Sequence, residues 1–96
     1  MKTIWKYPLQ VARVQHVRMP EGAKVLCVHT HQQGQPTIWC EVTPGNPLTT
    51  RVFNVYGTGW DIPDNPGRHI GTVHQESGLV WHFYEAPVAP NEDDEL

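Results

Sequence analysis

The sequence holds one serine, Ser77, and two cysteines, Cys27 and Cys40. Each shortage excludes something. Ser77 lies in the turn-like Glu76-Ser77-Gly78, and no Gly-x-Ser-x-Gly elbow exists to present a nucleophile. The cysteines lack the Cys-x-x-Cys spacing of a zinc knuckle. No glycine loop is made for phosphate, because Gly57-Thr58-Gly59 runs into Trp60-Asp61-Ile62-Pro63 with no Lys-Ser/Thr pair and no helix. No apolar run is long enough to span a bilayer, and Met1-Lys2-Thr3-Ile4-Trp5-Lys6 lacks the apolar stretch of a secretory signal. The expectation is a cytosolic protein with no membrane partner.

Charge is also scarce and unevenly placed. Charged residues make up 18% of the chain and the net charge is −3. Four of the ten acids fall in Asn91-Glu92-Asp93-Asp94-Glu95-Leu96, which leaves six acids against seven Lys plus Arg in the rest. A near-neutral body with no basic run does not suit a protein that tracks nucleic-acid backbones. The expected organisation is one β domain over 1–88 and a disordered acidic tail over 89–96. A chain of 96 residues has room for one modest core.

What the sequence has in quantity is punctuation. Nine Pro and eight Gly cut it into short pieces, and no uninterrupted window keeps helical spacing for three turns. About six strands are expected: Thr3–Val14, broken near Pro8; Lys24–His31; Thr37–Val42; Arg51–Tyr56; His69–Gln75; and Leu79–Glu85. The fold class is all-β, a small antiparallel sandwich or partly open barrel. In the last strand Leu79, Trp81 and Phe83 share one face, and Val80, His82 and Tyr84 the other. With both faces largely apolar, it should be central or covered on both sides. Asn54 within 51–56 suggests an edge or a ligand-facing side.

Three constellations could carry chemistry. If Gln33-Gly34 is a two-residue turn, Cys27 faces Cys40 and His29 faces Ile38, so Cys27, His29, His31 and Cys40 would offer two thiolates and two imidazoles to zinc. That register is conditional, since a loop longer by one residue destroys it. Same-face strand neighbours also lie about 6.5–7 Å apart, long for shared ligation, so two buried free thiols are the simpler reading and no metal is assigned. Asp61 and Asp64 share a loop without a basic or metal partner set, as turn carboxylates do. The third constellation is a recognition loop. Tyr56-Gly57-Thr58-Gly59-Trp60-Asp61-Ile62-Pro63 joins aromatics, an acid and glycines, and Arg68 and His69 close the excursion. Aromatic faces beside Arg and His can hold a base and a phosphate. Trp60 could equally fold inward to plug one end of a barrel. With Arg51, the candidate ligand-binding residues are Arg51, Tyr56, Trp60, Asp61, Arg68 and His69. No catalytic residue and no cofactor are assigned.

Several phrases also resemble one family. Ile4-Trp5-Lys6-Tyr7-Pro8-Leu9, Met19-Pro20-Glu21-Gly22-Ala23-Lys24, Phe53-Asn54-Val55-Tyr56-Gly57-Thr58-Gly59, and Ile70-Gly71-Thr72-Val73 with Leu79-Val80-Trp81-His82-Phe83-Tyr84-Glu85 look like small uncharacterised proteins found largely in bacteriophages and prophages. The resemblance covers nearly the whole chain except the acidic tail and transfers no catalytic residue. It implies a phage accessory protein in the host bacterial cytoplasm, a non-enzymatic binder active in counter-defence. The expected partner is a small nucleotide-like ligand sequestered from immune signalling. A host defence protein is the second expectation and a virion or assembly role the third. A domain this small would need a second subunit to enclose a ligand, so a homo-oligomer is expected.

Overall fold

The structure, a computed structural model, describes residues 1–87. The expected acidic tail, 89–96, lies outside the described residues. Seven strands are present among the described residues: β1 (Thr3–Pro8), β2 (Val14–Pro20), β3 (Lys24–Thr30), β4 (Pro36–Val42), β5 (Leu48–Gly57), β6 (Arg68–His74) and β7 (Val80–Glu85). A single 3-10 turn, Gln32–Gly34, joins β3 to β4. The chain is all-β as expected, with one strand more. That strand is β2, where Val17 and Met19 face in while Val14, His16 and Arg18 stay exposed. With polar residues on its open face and Pro20 closing it, this segment carries little of the apolar signal that marks a strand.

All strand pairs are antiparallel and form two sheets, one in the order β1-β4-β3 and one in the order β2-β5-β7-β6. The sheets do not close into a barrel. Val25, Val28, Ile38, Cys40 and Val42 from the first sheet meet Phe53, Val55, Val73 and Phe83 from the second in one apolar cluster. β3 and β6 approach so closely that a Cβ on Gly71 would lie 2.3 Å from Val28 Cγ1, so only glycine fits there. β7 lies between β5 and β6, as its two apolar faces require. β5 lies between β2 and β7, so Asn54 marks no edge; it sits on the outer face opposite Tyr84.

The β3–β4 register differs from the two-residue-turn expectation. Gln33 takes a left-handed conformation (φ 63°) and the connection is longer, while an irregularity between Val25 and Cys27 shifts the ladder again. Cys27 therefore faces Trp39, Cys40 faces Val25, and His29 faces Thr37. Cys40 is fully buried in the core and Cys27 is half-buried outside it, both as free thiols. The three-residue turn Gln32–Gly34 offsets the ladder by one position from the two-residue expectation, which puts the thiols on opposite faces of the sheet and removes the two-Cys, two-His set. His31 packs edge-on against Trp39 at 5.6 Å.

Candidate functional site

β5 is longer than the core needs. Phe53 and Val55 fill the interior, and two residues earlier on the same face Arg51 reaches the open end of the sandwich. Its Nη1 donates to the Ala23 carbonyl at 2.8 Å, its Nη2 donates to Glu85 Oε1 at 3.0 Å, and its Nε donates to Glu85 Oε2. The side chains of this pair are only 17% and 12% exposed. A shielded carboxylate needs such a two-pronged partner. The hydrogen bond and charge of Glu85 hold the Arg51 guanidinium above its ordinary range against the cost of burial. Arg51 thereby ties β5 and β7 to the turn before β3.

Around this pair opens a cleft of about 660 Å³. The exposed side chain of Arg68 stands on its rim, 3.9 Å from Glu85 Oε1. Lys24, Thr49 and Thr50 line it further, with Glu21, and Ala86 and Pro87 give an apolar wall. Three cations face two carboxylates, so the cleft leans positive while Arg51 is already engaged. Its chemistry suits a small anion with one apolar surface. Gly67, just before Arg68, is held by close approach: a Cβ there would lie 2.0 Å from the Glu85 carbonyl oxygen, and its φ of 95° favours glycine.

Tyr56 and His69 belong to a second place, the outer face of the four-stranded sheet. Tyr56 is 8% exposed yet stands outside the core cluster. Tyr84 packs edge-on against both Tyr56, at 5.5 Å, and His69, at 5.2 Å. Beside them runs a chain of hydrogen bonds. Thr58 Oγ1 lies 2.8 Å from His82 Nε2, His82 Nδ1 lies 3.0 Å from Thr72 Oγ1, and Thr72 Oγ1 lies 3.1 Å from His69 Nε2. A hydroxyl both donates and accepts, so it can satisfy an imidazole nitrogen of either tautomer. Sequence reasoning missed Thr58, Thr72 and His82. Alternation placed His82 beside Tyr84 on one face, but bringing Thr72 opposite His82 depends on the register shift between His69 and Gly71.

Trp60 and Asp61 join neither group. Trp60 stacks edge-on against Trp81 at 5.6 Å, lies over Gly57, and carries the Arg13 guanidinium 5.8 Å from its ring centre. It remains 46% exposed, so it caps Trp81 from outside instead of plugging the core. The space beside it is only about 70 Å³. Asp61 is exposed. The six candidate residues therefore divide: Arg51 and Arg68 at the cleft, Tyr56 and His69 on the outer face, Trp60 and Asp61 in the loop between β5 and β6.

Residues 1–93 match the family described as Domain of unknown function (DUF7352), and the chain belongs to that family. No curated protein and no solved structure matches it.

Proposed function

We propose that this member of a family without an assigned function is a non-enzymatic binding protein, and that its ligand is a small nucleotide-like anion held in the cleft at the open end of the sandwich. The observation that carries this is the meeting of Arg51 and Arg68 over Glu85 at the mouth of a cleft of about 660 Å³, with Lys24 on its wall. That volume lies within the range of small-molecule sites, about 300–1,000 Å³. Arg51 is the fixed post and Arg68 the free guanidinium. The single serine is in a turn, and the Cys40 thiol is pushed up to about 11, chiefly by burial, so neither is an activated nucleophile. The likeness to phage and prophage proteins supports a role in the host bacterial cytoplasm, where such a binder would remove an immune signal.

Cyclic nucleotides and ADP-ribose derivatives are the ligands to titrate by calorimetry, with heat release and mass spectrometry to show them recovered unchanged. Arg68→Ala should weaken binding about tenfold, the loss of one charge-assisted hydrogen bond, and leave the melting temperature alone. Absence of binding by all of these ligands, or their chemical conversion, ends the proposal. A second reading has its own observation: Trp60 and Ile62 stand 46% and 45% exposed on one loop, an apolar pair suited to a host defence protein. Stoichiometric recovery of a host protein, lost in Trp60→Ala but not in Arg68→Ala, would favour it.

A further inference from the structure

We infer that two copies of this chain pair antiparallel through the free edges of β1, with Trp5 on the two-fold axis. This goes beyond the ligand-binding reading and does not depend on it. β1 is an outer strand of its sheet and pairs, among the described residues, only with β4. The Leu9 N–H donates to the Pro36 carbonyl at 2.8 Å, which continues the register in which Pro8 faces Thr37. Leu9 with Pro36 is thus a hydrogen-bonded position, and by alternation Tyr7, Trp5 and Thr3 also turn their N–H and C=O groups toward β4. Ile4 and Lys6 turn theirs outward, to the open edge.

Two outward residues flanking one central residue match themselves across a two-fold axis. Ile4 of one copy lies opposite Lys6 of the other, and the reverse, giving about four backbone hydrogen bonds around a Trp5–Trp5 pair. Pro8, which lacks an N–H, falls at the end of the ladder and accepts from Lys2 at its carbonyl. The side chains agree with this register. Ile4 is 57% and Trp5 40% exposed, and a groove of about 500 Å³ lined by Ile4, Trp5, Lys6, Tyr7 and Trp39 runs along the edge. Ile4 is paired with Glu41 and Lys6 with Trp39 on β4. Across the dimer one outer row then reads Trp39, Lys6, followed by Ile4 and Glu41 of the second copy. In the single chain the exposed Lys6 ammonium lies 3.3 Å from His31 Nε2, and Glu41 is held by Lys2 at 3.3 Å. In the pair the lysine stem covers an isoleucine and its ammonium swings to the Glu41 carboxylate of the second copy. Lys6 would blunt this edge against an arbitrary strand, yet against its own copy its charge is answered. Of the other outer strands, β3 and β6 approach each other at Val28 and Gly71, and on β2 the Gln15 side chain bonds both the N–H and the carbonyl of Gln10, at 2.8 Å each.

Sedimentation of the full chain tests this, with mass rising from monomer to dimer as concentration increases. Ile4→Pro removes only an outward N–H, so it should stay monomeric at every concentration and keep its melting temperature when dilute. In a Cys40→Ala background, which removes the thiol facing position 5 across β4, Trp5→Cys should give a covalent dimer under mild oxidation, reversed by reductant, while Thr3→Cys, displaced from its own mate, should not. A wild-type chain that remains monomeric overturns the inference. So does an Ile4→Pro dimer, or equal cross-linking at positions 3 and 5. If Ile4→Pro fails to fold, the cysteine pair decides.

Discussion

Arg51 shows how much one side chain can hold in a molecule of this size. It bonds a carboxylate on β7 and a carbonyl just before β3, so three segments depend on it. Removing it leaves Glu85 shielded and without its two-pronged partner. Arg51→Met should therefore cost about 3–5 kcal/mol of stability, read as a lower midpoint in urea. Arg68→Met, whose side chain is 60% exposed, should leave the midpoint unchanged. Equal losses in both would mean that the shielded pair is not what ties β5 and β7 to the turn before β3. Both arginines stand out in the sequence as candidate ligand groups. That one is a fixed post and the other free follows from the position of Glu85 on β7, 34 residues from Arg51 in the chain.

At the scale of elements, the turn between β3 and β4 decides where every residue of that hairpin points. Gln33 holds φ 63° and is exposed, so its side chain contributes no burial to offset a left-handed backbone. Gln33→Gly should raise stability by about 1 kcal/mol without changing the register. A loss of stability would show that the Gln33 side chain is needed. The four-residue reading Cys27, His29, His31 and Cys40 failed at this level. Its residues and alternation are legible in the sequence, but whether the turn holds two residues or the three of Gln32–Gly34 is not, and that one position is enough to separate the thiols. β2 was overlooked for the opposite reason: only Val17 and Met19 face the core on that outer strand, and its polar side reads as loop.

For the molecule as a whole, the core sets a pH limit. Burial, with Glu85 and Cys27 adding and Arg51 opposing, pushes the Cys40 thiol from 9.0 up to about 11. The unfolded chain loses that proton from about pH 9, while the folded chain keeps it until about pH 11. Between those values the folded state binds more protons, so stability falls as pH rises. Tyr7, raised by burial and by Cys40, acts in the same direction at the alkaline end. Urea midpoints measured across that interval should decline, and Cys40→Ala should flatten the decline even if it starts lower. An unchanged slope in the variant would place the alkaline sensitivity elsewhere.

The sequence by itself determined the class. Proline and glycine at short intervals forbid helices, period-two alternation requires sheets, and the two apolar faces of Val80–Glu85 demand a strand covered by neighbours on both sides. These are local properties, written in consecutive residues. Tertiary structure alone decided the register at each bulge, the opposite facing of Cys27 and Cys40, and the meeting of Arg51, Arg68 and Glu85. It also decided the line from Thr58 through His82 and Thr72 to His69. Those relations join residues far apart in the chain, and each depends on an offset of one residue that has almost no local signature but reverses the face on which a side chain lies.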